Sequence, residues 1–172
     1  MRNVRYEYSS CHVEVPPPLS GEVIDWGLKN VRDDELYVTR TGPTFGREDE
    51  IHVTVLYGIH DDRPDAAVAA LNGFGHAVVT LRQIDLLTDP AAYDVLVANV
   101  DSEDLERMHE RLAKAVRFTD LYPFYHPHVT VAYVRKGSCR HHVNANVWDG
   151  RRFLVEHAVF SSKYGVKQSF PL

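Results

Sequence analysis

Four residues in this chain have the types and the spacing to do chemistry together: His52, Thr54, His128 and Thr130. They belong to an internal repeat, since His52-Val53-Thr54-Val55-Leu56-Tyr57 recurs 76 positions later as His128-Val129-Thr130-Val131-Ala132-Tyr133, identical at five of six positions. In an extended strand alternate side chains share a face, so each His and Thr point one way while the intervening valines point into a core. Two imidazoles around one point form an acid/base pair. With an unperturbed pKa of about 6.5, one can be neutral and accept a proton while the other is protonated and donates one. Two threonine hydroxyls can donate hydrogen bonds to the non-bridging oxygens of a phosphate, where charge accumulates in the transition state. Such a set could cleave a phosphodiester beside a free hydroxyl, and that chemistry calls for neither metal nor cofactor.

The motifs need rigid strands. Residues 51 to 59 and 128 to 135 are β-branched and aromatic and read as strands. Further strands are expected at about 5 to 15, stopped by Pro16-Pro17-Pro18, at 76 to 86, 93 to 100 and 152 to 161, and over 165 to 170. A helix capped by Ser20 runs to about Lys29 and turns Leu19, Val23 and Trp26 to one side. Pro64 opens a second helix to Leu71, and Leu105, Met108, Leu112 and Ala115 mark a third by their helical spacing. Asn30 to Glu50, with Gly42-Pro43, reads as mostly irregular, with a short strand near Leu36 to Thr39.

At 172 residues with 44% hydrophobic and 25% charged composition, the chain fits one globular domain over 1-172. No run approaches a membrane span and the first residues lack a signal-peptide core, so the expected location is the cytoplasm. Cys11 and Cys139 read as free thiols. A net charge of -5 argues against tracking a long polyanion and favours a small nucleotide as partner.

The paired His-x-Thr motifs resemble the signature of the 2H phosphoesterase superfamily. The resemblance implies an α+β fold: a single bilobal domain with two antiparallel sheets and flanking helices around a central cleft, each lobe carrying one motif. It implies catalytic roles for His52, Thr54, His128 and Thr130. The run from Tyr8-Ser9-Ser10 to Val15-Pro16, the Trp26-Gly27 helix and Gly46-Arg47-Glu48-Asp49-Glu50 are similar in style to the small phage anti-CBASS enzymes. Those enzymes destroy cyclic oligonucleotide second messengers to evade immunity in the host cytoplasm. Other family members act on RNA, as 2'-5' ligases or on 2',3'-cyclic ends, and the same four residues would serve either substrate. A nucleotide-binding module without turnover is a third reading, opposed by the intact motifs.

Around this centre, Tyr8, Tyr125 and Tyr164 are candidates for stacking on a base, and Glu156 and Lys163 for the cleft rim. Tyr57 and Tyr133 fall on the core face if their strands stay regular. Arg47 is a weaker phosphate candidate, since Arg-Glu-Asp-Glu reads as a solvated turn. His126 and His128, with His141-His142 nearby, have the look of a metal pair, but no carboxylate or cysteine cluster accompanies them, so no metal site is expected.

Overall fold

A computed structural model describes residues 6–38, 46–88 and 92–172. The parts of the sequence reading that rest on Arg5, Thr39, Gly42 and Pro43 lie outside these. Within the described residues eight strands form, β1 (Ser9–Glu14), β2 (His52–Ile59), β3 (Ala77–Thr88), β4 (Tyr93–Asp101), β5 (His128–Arg135), β6 (Arg152–Val155), β7 (His157–Ser161) and β8 (Lys167–Pro171). Three α-helices, α1 (Leu19–Asn30), α2 (Asp65–Leu71) and α3 (Glu103–Ala115), flank them.

The strands make one antiparallel sheet in the order β6-β3-β4-β5-β2-β1-β7-β8, not the two sheets expected. The motif strands β5 and β2 are its central pair and touch at a single register point, Val53 opposite Val129. Each half of the sheet therefore carries one motif on its innermost strand. The halves are not consecutive in sequence: the middle of the chain builds one, and the two ends build the other. The predicted strand over 152–161 is two strands on opposite flanks, β6 beside β3 and β7 beside β1. Only Glu156 separates them, so the sheet must curl into a half-barrel to bring its flanks together.

The helices cover the apolar face. Ser102 caps α3 by accepting from the Leu105 N–H at 3.1 Å, and Leu105, Met108 and Leu112 are buried against the sheet. On α1, Leu19, Val23 and Gly27 are buried, and Gly27 lets the helix approach Val131. Ser20 does not cap this helix: Pro18 stands at the cap position and no side chain caps it. The expected strand near Leu36 is reduced to one bridge, Leu36 to Val134. No helix among the described residues is long and apolar enough to cross a membrane. Cys11 and Cys139 are buried and unpaired.

Candidate active site

The alternation expected of each motif holds through its first three residues. Val53, Val55, Val129 and Val131 are buried, and His52, Thr54, His128 and Thr130 are half-buried on the other face. Because Val53 stands opposite Val129 in an antiparallel pair, His52 comes beside Thr130 and Thr54 beside His128.

Both imidazoles are oriented in the same way. His52 Nδ1–H donates to the Glu50 carbonyl at 2.6 Å, and His128 Nδ1–H donates to the His126 carbonyl at 2.7 Å. The protein therefore occupies Nδ1 in each ring and leaves Nε2 for proton transfer. Burial pushes the His128 pKa below its usual value, against the hydrogen bond to His126, and the neighbouring His126 and His52 push it further down.

Past the threonine the alternation breaks, and it breaks identically in both motifs. Cys11 pairs with Leu56 and His12 with Thr54, so Val55 is an extra residue on β2. Leu96 pairs with Ala132 and Val97 with Thr130, so Val131 is the corresponding extra residue on β5. A bulge reverses the phase of the residues beyond it. Leu56 and Ala132 are buried, and Tyr57 and Tyr133 turn to the His/Thr face, with Tyr57 36% exposed. Neither tyrosine is a core residue, contrary to the regular-strand expectation.

Each bulge is held in place. The carbonyl of Val131 accepts from the Glu48 N–H at 2.9 Å, and that of Val55 from His109 Nδ1 at 2.8 Å. The Tyr125 hydroxyl donates to the Thr54 carbonyl at 3.0 Å, and its ring stacks on His109 with centroids 4.2 Å apart. Tyr125 therefore helps to hold the first motif in place. Arg47 is likewise structural: its guanidinium donates to the Gly27 and Val31 carbonyls and pairs with Asp33.

The segments that lead into the two motifs exchange places. Residues 46 to 48, which precede β2, run along β5, and residues 117 to 119, which precede β5, run along β2. At the second crossing Gly58, with φ of +90°, lets Thr119 donate its N–H to the Gly58 carbonyl at 2.9 Å. A Cβ there would lie 2.3 Å from the Thr119 carbonyl oxygen.

Tyr8, another of the base-stacking candidates, meets Tyr57 edge-on at 6.0 Å and stacks on His60 at 5.7 Å, which puts it at the edge of the motif face. Lys163 and Tyr164 lie in the β7–β8 connection, where the Lys163 ammonium sits over the Tyr164 ring at 5.4 Å. Lys163 is tied there through its backbone, its N–H donating to Ser9 Oγ and its carbonyl accepting from Tyr6. Glu156 is exposed at the β6–β7 junction, and its carbonyl accepts from Leu172.

Three residues that no motif announced join the site. His12 on β1 stands opposite Thr54, is 5% exposed, and lies 4.7 Å from the His52 ring. Burial pushes its pKa down to about 3, with His52 and Lys167 adding to the effect. Lys167 on β8 brings a cation to this side of the sheet, paired with Glu50, whose carbonyl orients His52. Asn99 stands opposite His128 and donates to Asp85 at 3.2 Å, while its Oδ1 is buried without a partner among the described residues. Only the strand register reveals these three. Among the described residues no three His, Cys, Asp or Glu side chains gather as a metal site would require.

The profile of the 2'-5' RNA ligase superfamily matches residues 27–166. No curated protein matches the sequence. Solved structures share the fold at low identity. TT0787 of Thermus thermophilus superposes with a TM-score of 0.62 at 18% identity, over 96% of this chain and 97% of that one. Kluyveromyces marxianus Usb1 gives 0.58 at 10% over 96% and 97%, and Escherichia coli LigT without ligand gives 0.56 at 13% over 98% and 95%. LigT has also been crystallised with phosphate, ATP, NADP+ and 3'-AMP.

Proposed function

Because the chain belongs to the 2'-5' RNA ligase superfamily and is, with that family, a phosphodiesterase, we propose that it cleaves 3'-5' linkages of small cyclic oligonucleotides without a metal ion, the anti-CBASS activity of phage enzymes. The observation that carries the reading is the diagonal arrangement of the two motifs across the Val53–Val129 pair. That arrangement supports a site in which one phosphate meets two imidazoles and two hydroxyls.

In this mechanism Nε2 of one histidine takes the proton from the ribose 2'-hydroxyl. The 2'-oxygen forms a bond to phosphorus, the bond from phosphorus to the 5'-oxygen breaks, and Nε2–H of the other histidine protonates the departing oxygen. The product is linear and ends in a 2',3'-cyclic phosphate. His128, whose pKa burial lowers, suits the base, and His52 then serves as the acid. Thr54 and Thr130 donate to the non-bridging oxygens. Lys167, close enough to depress His12, adds positive charge on the same side.

The net charge of -5 supports a short ligand over a long RNA, and LigT, which shares the fold, accommodates mononucleotides and a dinucleotide. The description of the superfamily favours a second reading, RNA with 2',3'-cyclic or 2'-5' ends. Incubation of EDTA-treated protein with cyclic di- and trinucleotides and with cyclic-ended RNA separates them. Linear products from the cyclic oligonucleotides are expected. Turnover of RNA ends alone establishes the second reading, and loss of activity in EDTA refutes the metal-free mechanism.

A further inference from the structure

We infer that His12 recognises the sugar of the leaving nucleoside by pairing with its 2'-hydroxyl, so that the site selects ribose on the 5'-oxygen side of the reacting phosphate as well as on the nucleophile's side. The inference rests on the catalytic reading above and adds a specificity-determining residue to it.

Strand order and register place the ring. β1 flanks β2 on the side away from β5, and His12 stands on it opposite Thr54. Residues opposite each other on neighbouring strands share a face, so the imidazole joins the motif side chains, and its centroid lies 4.7 Å from that of His52. In the mechanism above His52 protonates the departing 5'-oxygen. A ring one imidazole further out on the same flank meets the ribose that carries this oxygen. The other flank differs. β4 lies beside β5 as β1 lies beside β2, but the residue opposite Thr130 is Val97. The nucleoside that supplies the nucleophile finds a valine at the equivalent place, so the recognition is one-sided.

His12 is 5% exposed, yet its ring nitrogens have no hydrogen-bond partner among the described residues. A polar side chain buried without a partner destabilises the free protein, and a ligand group that pairs with it removes that penalty. Burial also pushes the ring's pKa down to about 3, so it meets a substrate in the neutral form. A neutral imidazole carries one N–H donor and one acceptor nitrogen, the complement of a hydroxyl and a poor match for an anion. In a 3'-5' linked substrate the 3'-oxygen of the leaving sugar is esterified, which leaves the 2'-hydroxyl as its free donor and acceptor. That group is also what separates ribose from deoxyribose.

The test compares substrates that keep the nucleophilic 2'-hydroxyl and differ only in the leaving sugar. One pair is ApA and its analogue with 2'-deoxyadenosine as the second nucleoside. The other is cyclic diadenylate and the cyclic hybrid with one deoxyribose. Wild-type protein is expected to favour the all-ribose member by about 5- to 150-fold in kcat/KM per cleavable linkage, the range for leaving one buried polar group unpaired. His12→Leu is expected to treat the two members alike, with a urea midpoint at neutral pH no lower than that of wild type, because no unpaired nitrogen remains. His12→Gln, which keeps a donor and an acceptor, should retain a preference for ribose. Equal rates on both members with wild-type protein overturn the assignment, as does a preference that survives intact in His12→Leu while its urea midpoint falls, the result of a purely structural His12. Cleavage without regard to the leaving sugar would remove this inference alone, whereas cleavage of neither all-ribose substrate would remove the catalytic reading and the inference with it.

Discussion

The hydroxyl of Tyr125 donates to the carbonyl of Thr54 at 3.0 Å, across 71 residues of sequence. On the next peptide, His109 Nδ1 reaches the carbonyl of Val55 at 2.8 Å, and the two donor rings are stacked with 7° between their planes. A helix residue and a loop residue thus hold the point at which the first motif departs from a regular strand.

Tyr125→Phe removes one of these bonds and preserves the stacked ring. The expected cost in stability is about 1 kcal/mol. The expected loss in kcat is larger, about tenfold, because small displacements of a reacting group are expensive. Urea unfolding and steady-state kinetics on the same protein check the split. A fall in stability with unchanged kcat would assign the bond to the fold alone.

His52→Ala and His128→Ala should each lower turnover by about 10² to 10⁴-fold, and Thr54→Ala or Thr130→Ala by up to about 10³-fold. The double histidine variant should be little worse than either single one, because residues that act as a unit are not additive. A cyclic deoxynucleotide should survive. Its rapid cleavage would replace internal attack by attack of water.

His12 sets a pH dependence of stability. Its pKa in the fold, about 3, lies below the unfolded value near 6.5, so between those values the unfolded chain binds the extra proton. Its contribution is level above about pH 6.5, declines as the pH falls, and levels again near pH 3. His128 is depressed in the same sense. The local slope is at most about 1.4 kcal/mol per pH unit for each group. Replacing His12 by Asn should flatten the profile of urea midpoints between pH 7 and pH 4, and an unchanged profile would refute the assignment.

Gly58→Ala should destabilise the protein by more than about 2 kcal/mol, combining a positive φ with a Cβ against the Thr119 carbonyl. A thermal melt measures it. A melting temperature within error of wild type would show that the crossing of the 117 to 119 segment over β2 relaxes freely.

Much of the frame is legible in the sequence because short-range physics decides it. The apolar stripe of α3 marks that helix, and β-branched runs mark β2 and β5. The stretch over 152–161 reads as one continuous strand because nothing in its composition marks Glu156 as the point where the chain changes flanks. One sheet replaces two for a related reason: the join is a single residue pair, which local periodicity does not encode.

The sequence by itself determined which groups can move protons, since a repeat of His-x-Thr in strand-forming context puts each pair on one face by alternation alone. The tertiary structure alone decided what surrounds them. Tyr57 and Tyr133 reach the site only through bulges that appear when the motif strands pair with β1 and β4. His12, Asn99 and Lys167 arrive from strands distant in sequence, by registers that depend on side chains packing across the whole sheet. Tyr125 reads as a stacking residue from its place near a strand end, and only the packing of α3 against β2 gives its hydroxyl a carbonyl to hold.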